Sequence, residues 1–150
     1  MDESKPHDDL PPDRMDLVLD LVRHVFNLGR GFKVYAPKEV TDNPSILKSD
    51  EVVSRLANSK FWLRFVDGRE EMLSLAELLT LTYNLICVRA QMDEVNQRGS
   101  ASGTVQLNFC FAVQEIMKPD HAKQLLTKIT FERVRPPKKR RPKRRPPKQR

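Results

Sequence analysis

The densest run of chemically active side chains lies at the C-terminal end. Residues 133–150 carry Arg133, Arg135, Lys138, Lys139, Arg140, Arg141, Lys143, Arg144, Arg145, Lys148 and Arg150, eleven cations with no acid among them. Ammonium and guanidinium groups at this density suit a polyanion. Each phosphate they neutralise releases condensed counterions, which gives sequence-independent affinity that falls steeply with salt. Arginine adds planar, forked contacts to phosphate. Pro136, Pro137, Pro142, Pro146 and Pro147 bias the stretch towards an extended polyproline backbone. It lacks aromatic residues and glycine, so base-specific stacking is not expected from it. The same residues fit two other uses. Lys138 to Arg141 and Lys143 to Arg145 match basic clusters read by an import receptor's acidic groove. A solvated or membrane-surface polybasic tail is the third.

The charge is zoned. Over 150 residues the net charge is +7, from 27 Lys and Arg against 20 Asp and Glu. Residues 1–13 hold five acids (Asp2, Glu3, Asp8, Asp9, Asp13) and one base, Lys5, a net of −4. Residues 14–132 balance to zero, so the basic character belongs to the last eighteen positions. The acidic head reads as a solubility feature. The rival reading is an internal decoy that folds back on the tail, an attraction that salt would screen.

Signals for catalysis and metal binding are sparse. His7, His24 and His121 are isolated, and none has a carboxylate and nucleophile in a recognisable order. Glu70-Glu71 and Asp93-Glu94 are adjacent pairs whose side chains diverge on a strand or helix. No HExxH, DxD or Walker pattern occurs, and Gly29-Arg30-Gly31 lacks the order of a phosphate loop. Cys87 and Cys110 form no CxxC pair, which favours a reducing compartment, cytoplasm or nucleus. No enzyme activity, cofactor or metal is expected. The first residues show no secretory signal. Leu73 to Ala90, the longest apolar-leaning stretch, is too polar to span a bilayer.

The elements that would carry the tail fall between the outer prolines. An acidic, proline-rich head at 1–13 and a basic tail at 135–150 are expected to be disordered, with a folded body at 14–134. Met15, Val18, Leu19, Val22, Val25 and Phe26 recur at helical steps over 14–28, with Asp13 as cap and Gly29 as left-handed exit. Phe32 to Tyr35 is a short strand and 36–48 a loop broken by Pro37 and Pro44. A capped helix follows Ser49. Phe61 to Val66 alternates as a strand, and Asp67-Gly68 is a two-residue turn signal into a partner strand at 69–73. Ser74 and Glu77 form a capping box that opens a long helix to about Asn96. Its stripe runs through Leu75, Leu78, Leu79, Thr82, Leu85, Ile86 and Arg89, and it is the central helix of the core.

After a glycine-serine loop at 98–104, Val105 to Val113 alternates over five matches and reads as the clearest strand. Its amide face, Gln106, Asn108 and Gln114, invites pairing across a dimer edge. Pro119 opens a short helix to about Lys128, and Ile129 to Val134 closes as a strand. The fold class is α+β, with about four strands and three to four helices.

Three smaller features have two readings each. Arg23, Arg30 and Lys33 rim the first helix's end, or simply complement its dipole. Trp62 with Phe61 and Phe65 offers a base-stacking platform, or contributes to a core and an interface, the commoner case. A small body with a proline-punctuated cationic terminus resembles viral nucleocapsid and capsid proteins and small viral regulators, in architecture alone. The expectation is a nonenzymatic nucleic-acid-binding protein whose body self-associates. The alternative is a nuclear regulatory or adaptor protein whose tail serves import.

Overall fold

The structure, a computed structural model, describes residues 10–98 and 107–133. The head at 1–9, the loop at 99–106 and the tail from 134 lie outside the described residues.

The described residues fold as α+β, with a four-stranded mixed sheet and six helices. Helix α1 (Pro12–Leu28) starts earlier than its hydrophobic pattern suggests. Pro12 takes the first helical position, where its missing N–H is no loss. Asp13 therefore sits in the first turn and favours the helix dipole there, rather than capping it. Leu10 is also buried, so the core draws on residues expected in the head. At the other end, Gly29 adopts φ 69° and returns its N–H to the Val25 carbonyl at 3.0 Å.

Strand β1 (Phe32–Tyr35) leads into a stretch expected as loop. There Pro37 and Pro44 start helices instead of breaking them. Helix α2 (Lys38–Asp42) is followed by a 3-10 turn at Pro44–Lys48 and by α3 (Val52–Arg55). Strands β2 (Lys60–Phe65) and β3 (Glu70–Ser74) form the expected hairpin. Its loop has three residues, Val66 to Gly68, because Phe65 and Arg69 still pair. Gly68 supplies the positive φ, 97°, that such a loop needs.

Ser74 and Glu77 close the capping box in both directions. The Ser74 N–H donates to Glu77 Oε1 at 2.9 Å, and the Glu77 N–H donates to Ser74 Oγ at 3.2 Å. Helix α4 (Leu75–Arg98) starts there and is buried almost all round between Leu75 and Thr82. Ile86 and Arg89, expected on its inner stripe, are exposed.

The expected strand at 105–113 is absent over its described part. Residues 107–112 pair with no strand, and Val113–Ile116 is a helix, α5. Two amides of α4 replace the missing ladder. Asn84 receives the Cys110 N–H and donates to the Cys110 carbonyl, both at 2.7 Å. Gln91, two turns on, does the same for Asn108 at 2.9 and 3.1 Å. Alternation reports two unlike sides, and here one side is the core, where Leu107, Phe109 and Phe111 pack. The amide-lined strand edge invoked for dimer pairing does not exist at these residues.

Helix α6 (Pro119–Leu126) precedes a two-residue strand, β4 (Phe131–Glu132). The sheet order is β3-β2-β1-β4, with β4 parallel to β1 and the other pairs antiparallel. One face of the sheet buries Val34, Phe61, Leu63, Phe65 and Leu73 in a core shared with α1 and α4.

Candidate nucleic-acid interface

Strand geometry sends neighbouring residues to opposite faces. With Phe61, Leu63 and Phe65 inside, Lys60, Trp62 and Arg64 occupy the other face of β2. Register then aligns the strands. Tyr35 of β1 lies opposite Trp62, and Trp62 lies opposite Met72 of β3. On the far side Tyr35 neighbours Glu132 of β4. A single row thus crosses the sheet as Met72, Trp62, Tyr35 and Glu132.

Cations flank this row. On one side, Lys60 of β2 stands opposite Ser74. On the other, Lys33 and Arg64 are direct cross-strand partners. Arg64 also pairs with Glu70 at 3.3 Å, an exposed contact that water largely screens. Met72 is 50% exposed, while Trp62 and Tyr35 are half-buried. Among the described residues, neither ring has an aromatic partner or a side-chain hydrogen bond.

The sequence grouped Trp62 with Phe61 and Phe65, and the structure separates them. Phe61 packs on Phe131, and Phe65 on Phe32 and His24, all on the core side. Trp62 instead shares its row with Tyr35, from a strand more than twenty residues earlier. Once Phe32 to Tyr35 is a strand, its period of two places Tyr35 on the face opposite Val34. What the sequence lacked was the register between the strands.

Of the tail residues singled out, Arg133 is described and exposed, directly after Glu132. Arg135, Lys138, Lys139, Arg140, Arg141, Lys143, Arg144, Arg145, Lys148 and Arg150 lie outside the described residues. The stretch of cations therefore begins at the β4 end of the Met72–Glu132 row. Arg23, Arg30 and Lys33 are each exposed near the end of α1.

Other titratable groups are matched locally. Arg14 grips Glu77 with a two-point fork, Nε to Oε2 at 2.7 Å and Nη2 to Oε1 at 2.9 Å. Burial pushes the Glu77 carboxyl up, but the Arg14 bonds, the Ser74 N–H and the charges of Arg14 and Lys60 outweigh it. The net result is a pKa below the ordinary glutamate value. His24 Nε2 lies 3.1 Å from Asp67 Oδ2 without hydrogen-bond geometry, and its ring meets Phe65 edge-on. Asp67 is held low chiefly by the Arg69 backbone N–H.

A shallow depression is lined by Asp50, Glu115, Lys118, Pro119, Asp120 and His121. Lys123 pairs with Asp50 and lies near Asp120, and Lys118 pairs with Glu115. Its carboxylates are thus largely neutralised by neighbouring lysines, and His121 rests its ring against Tyr83. Burial and a neighbouring Cys87 thiol, the thiol foremost, hold the Tyr83 phenol above its usual pKa. Cys87 and Cys110 are free thiols. Among the described residues no cluster of His, Cys, Asp or Glu could hold a metal, and no helix is long and apolar enough to cross a membrane. Comparison of the chain with models of protein families, with characterised proteins and with solved structures finds no match.

Proposed function

We propose that the protein binds nucleic acid without catalysing a reaction, using its cationic C-terminal stretch on phosphates and its folded body as the carrier. The observation that carries this reading is the charge zoning. Eleven cations and no acid occupy 133–150, after a body whose charges balance. A neutral body offers no rival anion-attracting surface of comparable density, so the phosphate contacts concentrate in one segment. A viral nucleocapsid-type or regulatory role is in keeping with that layout. Self-association of the body would add avidity by presenting several tails at once.

The test uses the full chain with Lys138, Lys139, Arg140, Arg141, Lys143, Arg144 and Arg145 all changed to Gln. Affinity for a labelled 20-nucleotide strand is measured against salt. Losing seven phosphate contacts should flatten the log–log salt dependence by about 5, from a slope near 0.7 per contact on single strands. An unchanged slope and affinity would exclude this reading. The basic clusters at 138–141 and 143–145 also support a second reading, a nuclear adaptor with an import signal. That reading requires nuclear accumulation of a fluorescent fusion together with no nucleic-acid binding at physiological salt.

A further inference from the structure

We propose that the open face of the sheet is a stacking platform for unpaired bases, so that the protein prefers single-stranded nucleic acid to duplex. The inference rests on the nucleic-acid reading above and adds a strand selectivity that the tail alone does not supply.

Four observations converge on one occupant. First, Trp62 and Tyr35 are direct cross-strand neighbours on the face opposite the core, where Met72, Lys33, Lys60 and Arg64 are exposed. Aromatic rings in this position bind any base through its π-face, which is accessible only when the base is unpaired. Second, both rings lack partners among the described residues, so the indole N–H and the phenol O–H are free to meet base edges. Third, Lys60 on one side, and Lys33 with the Glu70-paired Arg64 on the other, place cations along both flanks of the aromatic row. A strand whose bases lie on Trp62 and Tyr35 would run its phosphates past these groups. Fourth, the row ends at Glu132, and the cationic stretch begins at the next residue, Arg133. Arg133, the first of these cations, is exposed at that end of the row. A duplex hides its base faces and is left with the phosphate contacts alone.

A second copy of the chain would suit Met72 and Trp62, but not the flanking cations. Like charges brought face to face across a twofold axis repel. The flanks thus favour a polyanion over self-pairing.

Trp62 is the sole tryptophan, so its fluorescence reports this face and no other. The full-length protein is titrated with a uridine 20-mer and with a 20-base-pair RNA duplex, following tryptophan emission and the anisotropy of the labelled nucleic acid. Quenching by the single strand and not by the duplex is expected. Trp62→Ala and Tyr35→Ala should each weaken single-strand binding about tenfold, within the range of one lost base stack. The salt slope and duplex affinity should stay unchanged, because neither substitution removes a charge. Trp62→Phe should retain most of the affinity, and it serves if the alanine variant folds poorly.

Binding of single strands with no change in emission, and with Trp62→Ala at wild-type affinity, would overturn the platform while leaving the tail reading intact. Loss of self-association in Trp62→Ala by light scattering, with single-strand binding unaltered, would also overturn it by assigning the face to a second copy. Absence of any nucleic-acid binding by the wild-type chain would remove the tail reading and the platform with it.

Discussion

Along β2, six consecutive residues divide between two environments. Phe61, Leu63 and Phe65 are at most 2% exposed, whereas Lys60, Trp62 and Arg64 stand on the open face. The inner set meets Leu73 and Val34 across the strands, and then α1 and α4. The outer set meets Tyr35 and Lys33 on one neighbouring strand, and Ser74, Met72 and Glu70 on the other. The same backbone therefore holds both a core and a surface on which a large aromatic ring is left without a partner. Burial explains the inner set completely. It does not explain a tryptophan on the outer face, where lysine or threonine would satisfy a solvated sheet equally well. Core packing and the outer face thus lie on alternate residues of one strand, and substitutions should separate their effects.

The largest effect belongs to the core side. Leu63→Ala deletes a fully buried side chain between Val34, on the neighbouring strand, and the helical layer. It should destabilise the fold by about 2–5 kcal/mol, the range for buried leucine truncations. Urea unfolding followed by far-ultraviolet circular dichroism gives the number. A loss below about 1 kcal/mol would mean that the inner face is not the main core.

Next comes a position where a helix does the work of a strand. Asn84 is fully buried and uses its amide on both backbone groups of Cys110. Asn84→Ala leaves a desolvated N–H and carbonyl, at a cost of about 1–3 kcal/mol. The Cys110 amide should then exchange with deuterium much faster, while amides of β2 and β3 keep their relative protection. Equal acceleration throughout would show that the segment is tied to global unfolding rather than pinned by α4.

These two residues also mark how far the sequence could be read. Alternation in 61–66 and the Ser74–Glu77 box are local signals, set by the backbone's own period and by side chains three residues apart. The box matches the structure, and the strand does too, shifted by one residue to Lys60–Phe65. The same alternation in 105–113 is equally regular and has another cause. It records a segment with an apolar side and a polar side, and says nothing about whether a strand or a helix supplies the backbone's partners. Asn84 and Gln91 looked like ordinary polar positions on a helix, because their partners lie 26 and 17 residues away. Pro37 and Pro44 were ambiguous for a different reason, since proline both ends helices and starts them. The Tyr35–Trp62 row needed a register between strands separated by two helices and a turn. The cations of the tail were legible as composition alone.

A smaller effect should appear at the junction of the two faces, where β3 turns into α4. Glu77 there caps the helix and binds Arg14 of α1. Glu77→Gln keeps the shape but removes the charge that the fork and the cap favour, and should cost about 1 kcal/mol at neutral pH. Because the folded-state pKa lies below the unfolded one, the wild-type advantage is full above the ordinary glutamate value. It should fade as pH falls through the lower folded value. Unfolding midpoints of the two proteins should therefore converge in acid. A constant difference from pH 7 to pH 3 would show that the charge contributes nothing.

The smallest effect on stability should come from the largest side chain on β2. Trp62→Ala removes far more surface than Leu63→Ala one position away, but that surface is only half-buried and lies on the side opposite the core. What is lost is cross-strand contact with Tyr35 and Met72, worth roughly 0.2–1 kcal/mol. Side by side in one urea experiment, the leucine variant should lose several times more stability than the tryptophan variant. If the order reverses, another part of the chain covers the open face and uses Trp62 as an anchor. In that case the ring belongs to a second core and is not available to a base.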